Sequence, residues 1–86
     1  MNKISQDNKV MKYYCNMNEV YFHISRLQKQ FKDEFKKNLD IDLICGLQAT
    51  TENHKMPRYY IGVWFDSSNK KHLEQINWIS QNVENS

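Results

Sequence analysis

The stretch RYYIGVWFD, residues 58–66, is the most apolar run in the chain of 86 residues. Its side chains alternate: Tyr59, Ile61, Val63 and Phe65 point one way, Arg58, Tyr60, Gly62, Trp64 and Asp66 the other. A period of two is what the pleat of a β-strand imposes. The preceding stretch IDLICGLQA, residues 41–49, alternates as strictly, with Ile41, Leu43, Cys45, Leu47 and Ala49 on one face and Asp42, Ile44, Gly46 and Gln48 on the other. Between them the polar TTENHKMP reads as a hairpin loop that Pro57 closes. A turn centred near His54 would set Gly46 opposite Gly62 and Ile44 opposite Trp64. One face of this hairpin, Ile41/Leu43/Cys45/Leu47 with Tyr59/Ile61/Val63/Phe65, is apolar enough to require covering.

The rest of the chain supplies the cover. Asn16 followed by Glu19 resembles a helix capping box, and Val20, Ile24, Leu27, Phe31, Phe35 and Leu39 then recur at spacings of three and four. That stripe predicts a helix over 17–38. Upstream, KVMKYYC (9–15) has the aromatic and β-branched content of a strand. Downstream, Ser67 or Ser68 is placed to cap a last helix that carries Leu73, Ile76, Ile79 and Val83 on one side. Residues 1–8 are polar apart from Ile4 and are expected to be a flexible N-terminus, with 9–86 forming a single α+β domain. The order β-α-β-β-α predicts a small two-layer sandwich, ferredoxin-like without the last strand.

Composition narrows the function classes. A hydrophobic fraction of 40% with 13% aromatics suits a folded domain, not a disordered chain. A net charge of +2 is too small to announce a nucleic-acid binder by itself. Cys15 and Cys45 lie far apart without Cys-x-x-Cys spacing and are read as reduced thiols. MNKISQDNKV lacks the apolar run of a signal peptide, and no stretch approaches the ~20 apolar residues of a membrane span. The expectation is a cytoplasmic protein with no membrane partner.

Tyr60-Ile61-Gly62, with Gly46-Leu47-Gln48 one short loop earlier, resembles the paired tripeptides of GIY-YIG endonucleases over residues 46–62. The resemblance would imply a catalytic tyrosine at the end of the first tripeptide and an arginine on the following helix. Gln48 stands at the first position, and the following region reads SSNKKHLEQ, with lysines only. Glutamine has no phenol, and lysine cannot reproduce arginine's planar fork on a phosphate. The tripeptide is therefore read as strand composition. His23, His54 and His72 lack metal-ligand spacing, and no glycine-rich phosphate loop, nucleophile elbow or carboxylate pair stands out. No catalytic residue, metal or cofactor is assigned.

Two surfaces remain. The far side of the hairpin collects Ile44, Gly46, Gln48, Tyr60, Gly62 and Trp64, a trough with aromatic walls suited to stacking bases or anchoring a protein. The alternative is that the N-terminal segment half-buries these aromatics. The outward side of the first helix carries Phe22, Arg26, Lys29, Lys32, Lys36 and Lys37, a basic stripe with one aromatic that can meet phosphates or an acidic protein, or be a solvated face with an Asp33–Lys37 pair. Trp78 lies well off the apolar stripe of the last helix, as Phe22 does on the first. The expected function is a small stand-alone protein-binding module, a stoichiometric inhibitor of the phage anti-defence or toxin-immunity type. The alternative is a small nucleic-acid-binding protein using the basic helix and the aromatic sheet face. A homodimer is compatible with either.

Overall fold

The computed structural model describes residues 7–50, 52 and 58–84. Its elements follow the expected order: β1 (Asp7–Tyr14), α1 (Met17–Phe35), β2 (Asp42–Gln48), β3 (Arg58–Phe65) and α2 (Lys70–Glu84). The three strands form one sheet in the order β1-β3-β2, and β3 runs antiparallel to both neighbours. β1 and β2 therefore run parallel with β3 between them and α1 as their crossover, the ferredoxin-like arrangement without a last strand. Both helices lie on one side of the sheet, α1 mainly over β3 and β2, α2 over β1 and β3.

The core forms where the sheet's alternation meets the helical stripes. Val20, Ile24 and Leu27 of α1, Ile41 just before β2, Ile61 and Val63 of β3, and Ile76, Ile79 and Val83 of α2 are buried together. Burying each such side chain contributes roughly 1.5–3 kcal/mol. Three expected core residues are exposed instead: Phe35 is 47% exposed, Leu47 59% and Leu73 42%. Leu47 lies at the end of β2, and Leu73 sits in the first turn of α2, about 100° round from the Ile76/Ile79/Val83 line at the 100° per residue of a helix. Polar clamps tie the layers together. The buried Gln75 accepts from Asp40 N–H (2.8 Å) and donates to Asp40 Oδ2 (2.9 Å), fixing the segment that leads into β2 against α2. Gln30 donates to Asn82 (2.9 Å) across the two helices.

Several boundaries differ from the expectation. β1 starts at Asp7, so Asp7 and Asn8 belong to the sheet, while residues 1–6 lie outside the described residues. α1 stops at Phe35 because Lys36 adopts the left-handed conformation (φ 61°) and donates its N–H to the Lys32 carbonyl. Lys37 consequently falls beyond the helix and loses the i,i+4 relation to Asp33. Neither Ser67 nor Ser68 caps α2. Asp66 Oδ1 accepts from Ser68 N–H (2.9 Å) and Oγ (2.6 Å), and this local turn moves the cap to Asn69, whose Oδ1 accepts from Lys71 and His72 N–H (2.9 and 3.3 Å). The start of α1 is as expected: Asn16 Oδ1 accepts from Asn18 N–H at 2.8 Å.

Candidate binding face of the sheet

With both helices on one side, no described element covers the other face of the sheet. That face carries Ile44, Gly46 and Gln48 from β2, and Arg58, Tyr60, Gly62 and Trp64 from β3, as the alternation indicates. The register differs from the expectation by two residues. Gly46 pairs with Tyr60, Ile44 with Gly62, and Asp42 with Trp64. The physical reason is visible at Gly46: the Tyr60 ring lies directly over it, where any Cβ would overlap the ring. The glycine thus provides the bed for the ring that crosses it. The tip of the hairpin, where the expected turn at His54 falls, lies outside the described residues.

β1 adds a third row that the sequence did not disclose. A bulge between Val10 and Lys12 places two residues opposite Ile61. Past it, Tyr13 pairs with Tyr60 on the open face while Tyr14 packs against the core. Tyr13 meets Tyr60 edge-on at 5.8 Å, and the Arg58 guanidinium stacks over the Tyr13 ring at 4.3 Å. Arg58 also donates from Nη2 to Gln48 Oε1 at 3.0 Å. At the other end, Val10, Ile44, Tyr60, Gly62 and Trp64 enclose a shallow cleft of about 100 Å³. Gly62 is its floor: a Cβ there would stand 3.1 Å from the Tyr60 ring and 3.2 Å from Ile44. Trp64 is 42% exposed at its rim. β1 therefore lies beside the aromatics in the plane of the sheet, and residues 1–6, the rest of the N-terminal segment expected as their alternative cover, lie outside the described residues. Arg58 was legible on this face from alternation alone. Val10 and Tyr13 were not, since nothing in the sequence marks the bulge or the neighbour of β1.

The residues expected on the helices are dispersed. Phe22 is 64% exposed and points away from the sheet, edge-on to His23 at 5.2 Å. Arg26 is half-buried and engaged: its Nε donates to His23 Nδ1 (3.3 Å) and its Nη1 to Gln30 (3.0 Å). Lys29 is exposed on the same outer side, and Lys36 is the left-handed residue that ends α1. Trp78 is half-buried against the other helix. Its ring packs edge-on against Phe31 (5.2 Å) and Phe35 (6.2 Å), and its Nε1 donates to Glu34 at 2.8 Å. It docks one helix on the other, which explains a position that the stripe of α2 alone does not.

His23 is the perturbed base of the helix layer. It stacks on Tyr14 at 5.1 Å. Burial, then the nearby Arg26 and Lys12 charges, hold its pKa below the ordinary imidazole value, with Glu19 opposing. Cys15 is exposed and Cys45 half-buried, both as free thiols. Among the described residues no three His, Cys, Asp or Glu side chains come close enough to share a metal ion. Nor is any described helix long and apolar enough to cross a membrane. No protein-family model matches the chain, and no curated protein or solved structure shows significant similarity to it.

Proposed function

We propose that this protein acts by binding a partner protein through the open face of its sheet, as a stoichiometric inhibitor of the anti-defence or immunity type, and not by catalysis. The observation that carries the reading is the aromatic cleft of Val10, Ile44, Tyr60, Gly62 and Trp64, which no described element covers, continuous with the Tyr13–Arg58–Gln48 stack. Rigid Tyr and Trp rings beside an arginine are the anchors that dominate protein interfaces, because they bury large areas at a low cost in side-chain entropy. A sheet also presents them at fixed spacing.

A nucleic-acid reading needs the aromatics and the basic residues on one surface. Here they lie on opposite sides: Lys29 faces outward from the helix layer, and the cleft opens on the bare face of the sheet. The open face carries Arg58, already engaged, together with the acidic Asp42, and among the described residues Lys9 is the one further charge that lines the cleft. That balance does not build the phosphate-neutralising surface on which such binding depends.

The test is affinity capture from native host extract with the wild-type chain, Trp64→Ala and the double variant Lys29→Ala/Lys36→Ala, followed by titration of the captured protein. Trp64→Ala is expected to weaken the complex by more than ~2 kcal/mol, and the lysine variant to leave it within error. A partner held equally by all three would remove the open face from the proposal. In parallel, saturable binding of an oligonucleotide at ~50 mM salt that collapses at ~200 mM would favour the nucleic-acid reading.

A further inference from the structure

The two edges of the sheet are built differently. β1, at one edge, has a bulge and carries Lys9 and Lys12, devices that discourage another strand from pairing there. β2, at the other edge, has neither. Its seven residues DLICGLQ pair with β3 in unbroken register, contain no lysine or proline, and carry one charge, Asp42. No described strand pairs with its outer edge. Leu47, 59% exposed, stands at its end on the helix side.

From these features we infer that β2 is a homodimerisation edge, at which a second copy of this chain adds its own β2 in antiparallel register about Cys45. The argument is self-complementarity, which a two-fold axis demands. Pairing about Cys45 sets Leu43 opposite the partner's Leu47 and Ile44 opposite the partner's Gly46. The exposed leucine gains an apolar neighbour, and a large side chain meets the one β2 position without a side chain, whose surface is the Tyr60 ring. Asp42 falls opposite the partner's Gln48, whose amide oxygen already holds Arg58. A carboxylate is thereby brought beside a guanidinium twice in each dimer, once at each end of the seam. Every residue of β2 is used and none meets a like charge. The product is one six-stranded sheet with all four helices on one side and the two aromatic clefts opening together on the other. The inference goes beyond the binding reading above and does not depend on it.

Sedimentation velocity on the full chain from ~1 to ~200 μM tests it directly. The expected result is a concentration-dependent shift from the 10.4 kDa monomer to twice that mass. Asp42→Arg, which sets two arginines together at each end, is expected to weaken the dimer at least about tenfold. Asp42→Arg combined with Arg58→Asp, which reverses the pair, is expected to return it to within about threefold of wild type. Leu47→Lys alters a residue already exposed in the monomer and is expected to give a folded monomer with an unchanged circular-dichroism spectrum. A short bismaleimide is expected to join wild-type and Cys15→Ser chains through Cys45, because residues directly opposite across antiparallel strands lie about 4.5–5.5 Å apart. A monomer throughout the concentration range, or a dimer indifferent to both Asp42→Arg and Leu47→Lys, would overturn the inference. Neither result would affect the Trp64 test, so failure here is distinguishable from failure of the binding reading.

Discussion

Two glycines and one tyrosine shape the candidate site. Gly62 is the floor of the cleft, and Gly62→Ala would insert a methyl 3.1 Å from the Tyr60 ring and 3.2 Å from Ile44. The expected outcome is a midpoint of thermal unfolding within a few degrees of wild type, together with a marked loss of partner binding, since the methyl fills space that a ligand would use. At Gly46 a methyl would meet the outer end of the Tyr60 side chain, a part able to swing away. Gly46→Ala should therefore redirect Tyr60 without unfolding the sheet, and the altered ring environment is read by near-ultraviolet circular dichroism. His23 gives the fold an acid sensitivity. Its pKa is depressed in the folded chain, so the unfolded chain takes up the proton first as pH falls below the ordinary value of 6.5. The stability that His23 supports is complete above that pH and is lost below it. Thermal unfolding followed from pH 7.5 to pH 5 should show a falling midpoint, and His23→Gln should flatten that slope. An unchanged slope would place the sensitivity elsewhere.

The elements differ in how far the sequence dictated them. In α1 the stripe Val20, Ile24, Leu27, Phe31 and the Asn16 cap are local signals, and both are realised. Phe35 and Leu39 continue the same spacing, yet the helix stops between them because Lys36 turns left-handed, a choice no periodicity encodes. Glycine takes that conformation at little steric cost. Lys36→Gly is therefore expected to raise stability by up to about 1 kcal/mol and Asn16→Ala to lower it by about 1 kcal/mol, both measurable by urea unfolding. The hairpin strands were legible for the same reason as the stripe. Their register was not, because shifting the centre of symmetry by a single residue moves every cross-strand pair by two. What settles it is the seat of Tyr60 on Gly46, a contact between strands. The cap of α2 was misread for a related reason: Asp66 engages Ser68 locally, leaving Asn69 as the free acceptor.

At the scale of the whole molecule, the shortest dimension is 16 Å, about what one helix layer on one sheet gives when layers pack ~10 Å apart. So thin a body relies on a few polar clamps to hold its layers in place, and Gln75 is the most buried of them. Gln75→Leu leaves the Asp40 N–H without its partner, and the expected cost is ~1–3 kcal/mol in chemical unfolding. The candidate site was half legible at this scale: alternation placed Ile44, Tyr60 and Trp64 on one face, but only the assembled sheet brings Val10 and Tyr13 beside them. The same assembly separates the surface aromatics that the sequence had grouped, sending Phe22 outward, Trp64 to the bare face and Trp78 into the seam between the helices. That parting of the two indoles equips the protein with a pair of resident optical probes. Trp78, held edge-on to two phenylalanines and bonded to Glu34, emits from the helix seam and reports loss of the packed fold. Trp64, at the rim of the cleft, emits from a wetter setting and is open to collisional quenchers. A Trp78→Phe chain would then light only the sheet face and a Trp64→Phe chain only the helix seam, so occupancy and unfolding could be followed as separate colours.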